Sequence, residues 1–563
     1  MIWVILAAAF LLRVVGLQHG LPAVFHQDEP MMVNHALAIG TGDWNTHYFV
    51  VGPFVMYFLF FIYGAYYLAG HLAGFFPDQT AFAIEFLRDP STFYFLGRLT
   101  LGAVFGTATV WLVYRLGKRE GSAIQGLAAA GFLAASWIHV ELSHYIYADI
   151  PLTLALLAVL GCHLSVLKGP SVKRGLAAGV ALGWAVSIKY TALYFLPAAL
   201  LAYILAKRPA PGHGLRRGLL AEGAAALLTF ALLAPYTFLD WGSFIQTIRH
   251  QSTAQGYVGL WHYLIYGLVP GTSVLFLSLS ALGAARMWGD GRRPTAAVTL
   301  CFIGVYYLIN TWAGQPFARY IVPIVPALCF LAGAGWDTLA NRLFRTRWLR
   351  RAVVILLAAD LLAPSVYADA LFLKKDTRTL CREWIEAHLP EDTVIVLDSR
   401  FYGPPLPQTA GLIHAKQEEL ALRARQEQFM APDAVRSMRL SLMDRALRGQ
   451  KRYQTYLLNW EGENGLQDFL MSKPVVRPDL RELDRIGADY LILSYSERLS
   501  DTGDIREALG GRLDPVASFS PYWQGHLRRS LDPHYSTAAP HLPLELYRRN
   551  RLGPYLEVYR IRR

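Results

Sequence analysis

Apolar stretches of roughly 16–25 residues recur from the N-terminus to about residue 367, each long enough or nearly so to cross a hydrocarbon core of about 30 Å. No feature constrains the fold more. A lipid-embedded segment must close its own backbone hydrogen bonds, so such a chain can only be a bundle of helices there. After residue 367 charges become dense and apolar runs shorten, as in a soluble domain. The predicted division is 1–367, a transmembrane module, and 368–563, a soluble α/β domain. Within the first part, residues 18–93 form a first polar loop with juxtamembrane helices.

Basic residues set the predicted topology. Lys and Arg outnumber Asp and Glu 24 to 14 in residues 1–367, against 29 to 27 in 368–563. The surplus therefore belongs to membrane loops and does not point to nucleic acid. The clusters are Arg115, Lys118, Arg119; Lys168, Lys173, Arg174; Lys207, Arg208, Arg216, Arg217; Arg286, Arg292, Arg293; and five arginines from Arg342 to Arg351. Two apolar spans and one turn poor in Lys and Arg separate consecutive clusters. The positive-inside rule then predicts about 11 spans: 2–17, 94–116, 124–141, 150–167, 175–189, 190–206, 218–238, 263–285, 296–313, 319–338 and 352–367. It also predicts a cell (inner or plasma) membrane protein whose C-terminal domain is extracytoplasmic. Counting 51–74 as a span would break the alternation, so this aromatic-rich segment is expected to lie along the outer surface or dip in and return. The N-terminal run lacks a basic start and precedes further spans, so it reads as a retained first span.

Acids, histidines and single basic residues collect in the turns on one side. The first loop carries His26, Asp28, Glu29, His35, Asp43 and His47. The stretch HVELSHYIYADIPL carries His139, Glu141, His144, Tyr145, Tyr147 and Asp149. Lys189 follows in a short turn between two short helices, and GQPFARYIVPIVP supplies Arg319 and Tyr320. An ammonium at membrane depth costs roughly 2.5–3.5 kcal/mol by insertion scales unless it is paired or wetted, so Lys189 calls for an anion. Ionisable groups gathered at a membrane face are functional candidates. Plainer readings stand beside this one. Asp28 and Glu29 before Pro30 also fit a helix start. His144 and Asp149 also fit interfacial solvation, and Arg319–Tyr320 an interface anchor. The four cysteines have no metal-ligand spacing and read as apolar filler.

Several stretches, in order, resemble the GT-C membrane glycosyltransferases, in particular the dolichyl-phosphate-mannose protein mannosyltransferases and the bacterial aminoarabinose transferases. They are HQDEP after the first span, GDWNTHYFVVGPFVMYF with His47, Gly52 and Pro53, and FLGRLTLGAVFGTATVWLVYRLGKREG opening at Arg98. HVELSHYIYADIPLTL, SIKYTALYFLP, ARYIVPIVPAL and DTRTLCREWIEAHLPEDTVIVLD follow. The resemblance implies a phospholipid carrier-dependent enzyme of the cell envelope. Such an enzyme moves a hexosyl or pentosyl group from a polyprenyl-phosphate donor to a lipid, glycan or protein acceptor at the outer face.

It further implies Asp28 as general base, with Glu29 and Asp149 in the catalytic set. Lys189, Arg319, Tyr320 and Arg98 are expected at the donor phosphate, the first two on position and charge. His26, His47, His144 and Tyr145 are expected in the substrate pocket. Attack opposite a departing phosphate would invert the anomeric centre. Some relatives use a divalent metal ion and others none, and the matching positions leave both open. A transporter or flippase of lipid-linked sugars would also place charges at membrane depth, but no internal repeat is visible. No Trp-Trp pair occurs, which disfavours oligosaccharide transfer to asparagine.

In the soluble part, DTRTLCREWIEAHL and about 433–447 read as helices. TVIVLD, ADYLILSYS and LEVYRIRR read as strands. GPPLPQ at 403–408 and the run from Pro533 to Pro543 read as loops. With no phosphate loop and no nucleophile motif, this domain is expected to roof the site or select the acceptor.

Overall fold

The computed structural model describes residues 1–207, 214–253, 257–312, 317–343, 347–398, 402–425, 431–458, 474–476, 480–495, 509–523 and 543–562. The loop expected at Pro533–Pro543 lies almost wholly outside them. Up to Phe372 the regular elements among the described residues are all helices. Among the described residues six helices are long and apolar enough to cross a membrane, or seven if one bent pair counts as a span. Ile2–Val14, Ala123–Ala135 and Tyr190–Ile204 are apolar but shorter.

Two expected spans are broken and a third, within the continuous apolar helix Ala318–Ala340, opens irregularly, each for a local reason. The segment 263–285 bends by 93° between Leu264–Thr272 and Val274–Gly289. Ser273 sits at the break with φ 82° and caps the second helix by accepting the Phe276 N–H. The segment 124–141 stops at Ala135, where the Ser136 hydroxyl donates to the Gly271 carbonyl at 3.1 Å, and resumes as Trp137–Leu142. The segment 319–338 opens as a 3₁₀ turn, Ala318–Ile324, containing Pro323. Residues 51–74 form one helix, Phe54–Leu72, which is long and apolar enough to cross. It packs on the helix Asp28–Ala38. Length and composition thus admit a crossing that the charge alternation had placed at the surface.

Helix contacts in this half depend on small residues. Lipid is as apolar as a leucine side chain, so helices associate by close packing. Gly175, Gly179 and Gly183 lie four residues apart on the helix Val172–Ile188 and face the helix Gly214–Leu233. A Cβ at these positions would stand 2.1, 2.2 and 2.4 Å from the carbonyl oxygens of Gly218, Glu222 and Ala226. Only hydrogen fits there. This stripe fixes the helix whose C-terminus delivers Lys189.

Among the described residues the soluble domain holds a six-stranded sheet: β1 Val394–Leu397, β2 Gln454–Leu458, β3 Val475–Val476, β4 Tyr490–Tyr495, β5 Leu513–Phe519 and β6 Tyr555–Ile561, in the order β3-β2-β1-β4-β6-β5. The first four in that order run parallel, and β6 and β5 are antiparallel to their neighbours. β1 is buried along its whole length, as a central parallel strand covered on both faces should be. The helix Thr377–His388 covers one face through Cys381 and Ile385, and Leu483 packs on the other. The expected helices and strands are present. The strands β2, β3 and β5 and the helix Ala410–Arg425 were not anticipated.

This domain is fastened to the helical module. The helix Arg347–Phe372 carries Tyr367, whose hydroxyl donates to the Arg549 carbonyl at 2.7 Å and accepts the Trp523 indole N–H at 3.0 Å. Trp137, Ala368, Leu371 and Leu546 form an apolar joint beside it. The helix Ala431–Ala446 rests on the helix Gln79–Arg88 of the first polar loop.

Replacing Gly179 by Leu forces a side chain into a neighbouring backbone. Over-packing of this kind costs about 1–3 kcal/mol or more. Thermal melting of the purified variant in detergent is expected to show a lowered Tm, whereas Gly131→Leu, at a position with open space around its Cβ, leaves it near the wild-type value.

Candidate active site

The acidic pair at the start of the helix Asp28–Ala38 divides on geometric grounds. Pro30 sits in the first turn, where a missing N–H is harmless, and carboxylates favour that positive end. Neighbouring positions on a helix point about 100° apart. Glu29 turns into the protein, fully buried, and meets Arg98 in a two-pronged ion pair. The Arg98 Nε donates to Oε1 and Nη2 to Oε2, both at 2.7 Å. The Ile146 N–H adds a bond to Glu29 at 3.0 Å, and Arg98 also donates to the Leu17 and His19 carbonyls at 2.7 and 2.8 Å. Neither Glu29 nor Arg98 lines the cavity described next. Glu29, expected among the catalytic groups, and Arg98, expected at the donor phosphate, are instead placed against each other, away from the cavity.

Asp28 turns the other way, into a cavity of about 1010 Å³ between the helical module and the soluble domain. Its carboxylate lies 2.7 Å from the Arg319 guanidinium. Arg319 also stands 3.8 Å from Asp149, which is 2.8 Å from the Lys189 ammonium. Two carboxylates and two cations thus alternate in one row. Asp28, Lys189 and Arg319 line the cavity, while Asp149, 2% exposed, stands behind the two cations in the first turn of Asp149–Val166. Aromatic faces enclose the cations. Lys189 lies 4.3 Å from the Tyr320 ring centre and Arg319 lies 5.0 Å from that of Tyr147. The Lys189 turn is held from the side by Gly52. Its N–H donates to the Ile188 carbonyl at 3.0 Å, and a Cβ there would lie 2.0 Å from the Ser187 oxygen.

The remaining expected residues separate. His26 lines the cavity, accepts the Asp28 N–H at 3.3 Å and lies tilted against Tyr145, with ring centres 4.4 Å apart. Tyr145 is buried behind it, in contact with His19 and Phe372. His144 is fully buried, with its ring nitrogens 2.9 Å from the Val140 and Val15 carbonyls, away from the cavity wall. His47 is exposed, pairs with Asp43 at 2.8 Å and is likewise no part of the lining. The structure thus does not bring His144 or His47 to the cavity at which they were expected. His35, buried beside Tyr48, is pushed by burial from its ordinary 6.5 to about 4 and so stays neutral. Tyr48, Tyr147 and Tyr194 are lining residues absent from the expected set. The loop Gly403–Gln408, with Arg382 and Arg439 of the soluble domain, lines the cavity from the side on which a roof was expected, although none of these residues was singled out. Among the described residues no three His, Cys, Asp or Glu side chains converge as a metal site.

The family model for dolichyl-phosphate-mannose-protein mannosyltransferases matches residues 95–241. No curated protein sequence matches the chain. Among solved structures, ArnT from Cupriavidus metallidurans bound to undecaprenyl phosphate is 15% identical, with 99% of this chain and 97% of that chain covered and a TM-score of 0.51. The apo state of the same protein gives the same values. An oligosaccharyltransferase from Archaeoglobus fulgidus is 14% identical over 71% of this chain and 62% of that chain, with a TM-score of 0.41. The first likeness shows a shared fold. The matched family and the ArnT structure are both glycosyltransferases, the class to which the sequence resemblance pointed.

Removing one partner of a buried ion pair strands the other, at about 3–5 kcal/mol. Glu29→Ala is therefore expected to lower Tm sharply in detergent melts, more than Asp28→Ala does, because Asp28 leaves Arg319 with Asp149 nearby. A second expectation concerns pH. A histidine whose folded pKa is depressed supports the fold above the unfolded pKa and loses that support as pH falls from 6.5 through about 4. Melts at pH 7 and pH 5 should show a smaller drop for His35→Asn than for wild type.

Proposed function

We propose that this chain is an inverting glycosyltransferase that moves a sugar from a polyprenyl-phosphate donor to an acceptor at the outer face of the membrane. One observation carries the reading: Asp28 shares a cavity with Lys189 and holds Arg319 at 2.7 Å. A carboxylate suited to take a proton thus stands beside two cations suited to a phosphate. The ArnT relative of the same fold is described with undecaprenyl phosphate bound, which supports a donor of that class here.

The donor phosphate is an anion linking prenyl chain and sugar. It enters between Lys189 and Arg319, which are already desolvated and need no new charge compensation beyond Asp149. Arg319 exchanges Asp28 for a phosphate oxygen, which its planar fork suits. Asp28 is thereby released as a base. An acceptor hydroxyl or amine gives Asp28 its proton as its lone pair attacks the anomeric carbon. The carbon–oxygen bond to phosphate breaks on the opposite face, and its electron pair stays on the phosphate oxygen. The products are the inverted glycoside and polyprenyl phosphate, which carries one more negative charge than the diester. Lys189 and Arg319 stabilise that added charge in a site shielded by the tyrosines. Asp149 keeps both cations in register. Glu29 and Arg98 brace the helix that carries Asp28. The acceptor is a lipid, glycan or protein, and the charge pattern of the loops supports a cell-membrane protein with its soluble domain outside.

The test uses the full chain in nanodiscs with a polyprenyl-phosphate monosaccharide, following release of polyprenyl phosphate and the anomeric configuration of the product. Asp28→Asn is expected to lower turnover about 10²–10⁴-fold, with donor affinity retained. Lys189→Gln is expected to weaken polyprenyl phosphate binding about tenfold or more. Normal turnover by Asp28→Asn removes it as the base, and a retained configuration removes the single displacement. Sugar crossing a vesicle membrane without bond cleavage would make the chain a flippase.

A further inference from the structure

The cavity charges do not balance. Asp28 is the only acid among the described residues that line it, against Arg88, Lys189, Arg319, Arg382 and Arg439. Lys189 and Arg319 are matched by Asp28 and Asp149. Arg88 pairs with Glu85, and Arg382 donates to Glu386 at 2.7 Å. Arg439 is left. Its Nη1 donates to the neutral Asn34 Oδ1 at 2.6 Å, and its buried Nε meets no hydrogen-bond partner. No acid among the described residues pairs with it. A half-buried guanidinium with a free donor and no counter-charge is a site waiting for an oxyanion.

Its position gives the anion a meaning. Arg439 comes from the roof helix Ala431–Ala446, while Asn34 belongs to the helix that begins at Asp28. The Asn34 amide in turn donates to the Pro30 carbonyl at 2.6 Å. Asn34 and Asp28 are six positions apart, about 9 Å along the helix axis. An anion on Arg439 therefore sits under the roof of the same cavity, well removed from Asp28. We infer that Arg439 is a specificity-determining residue that binds an oxyacid group, phosphate or carboxylate, on the acceptor. The inference rests on the cavity being the transfer site. The spacing separates this anionic handle from the hydroxyl or amine that attacks: the handle orients the acceptor, and a different group gives its proton to Asp28. The Arg439–Asn34 bond ties the roof to the catalytic helix, so an acceptor held there is held in register with the base.

The experiment is calorimetric titration of the full chain in nanodiscs, first loaded with polyprenyl phosphate so that Lys189 and Arg319 are occupied. Inorganic phosphate is titrated in one arm and methyl glucuronide in the other. The wild type is expected to bind at least one, and the tighter arm identifies the group. Arg439→Gln is expected to weaken that binding about tenfold or more while leaving polyprenyl phosphate affinity unchanged, and Arg439→Lys to restore part of it. The inference is overturned if wild type binds neither anion or if Arg439→Gln binds as well as wild type. It is also overturned if Arg439→Gln loses polyprenyl phosphate too, since the residue then only joins the modules. Failure of the transfer reading shows separately, as polyprenyl phosphate that does not bind wild type or binds Lys189→Gln equally well. The two anion arms are then run on the unloaded protein and read by the same criteria.

Discussion

Arg319 stands between two carboxylates, 2.7 Å from Asp28 and 3.8 Å from Asp149, and the rest of the site is arranged around that sharing. Charges at membrane depth persist only when paired. A row of two acids and two bases is neutral overall, yet each member can change partner at little electrostatic cost. In the proposed reaction a phosphate arriving at the row replaces Asp28, the carboxylate that faces the cavity, as the partner of Arg319, so that binding the donor and freeing the base are one event. The scaffold serves this row. The glycine stripe seats the helix ending at Lys189, Gly52 pins the following turn, and Asp149 opens its own helix just behind the cations.

The neighbouring residue shows how little sequence distance separates structure from chemistry. Glu29 differs from Asp28 by one position and one methylene, yet it is sealed against Arg98, its two oxygens accepting from Arg98 Nε and Nη2 and from the Ile146 N–H. A charge pair so enclosed has no reason to open for a ligand, whereas the Asp28–Arg319 pair borders open space. The soluble domain completes the chamber rather than contributing to the row. It closes the roof with a proline-rich loop and with arginines, and its attachment through Tyr367, Trp523 and Leu546 fixes that roof over the helix that bears Asp28.

Much of this was legible in the sequence, because a charge inside apolar text has few innocent explanations. Asp28, Asp149, Lys189 and Arg319 stood out singly, and the structure brings all four together. What stayed hidden was direction. Sequence cannot tell which of two adjacent acids faces a cavity, nor that Arg98 is consumed by Glu29 rather than free for phosphate. His144 and His47 looked alike with His26, but only His26 reaches the cavity wall. The tyrosines were camouflaged by ordinary interfacial aromatics, although Tyr147 lay in the same motif as Asp149. Arg439 was illegible because its contact with Asn34 joins residues 405 positions apart. In the fold, the kink at Ser273 was passed over although Pro270, Gly271, Thr272 and Ser273 interrupt the apolar run there. The strands β2 and β5 lacked the apolar run or clean alternation that marked β1 and β4.

The central claim is that donor phosphate takes Arg319 from Asp28. A high-resolution structure of the full chain in nanodiscs with polyprenyl phosphate bound measures this directly. The account predicts the Arg319 guanidinium on phosphate oxygens beside Lys189, with the Asp28 carboxylate detached and open to the cavity. A phosphate bound elsewhere, with Arg319 still against Asp28, would contradict it.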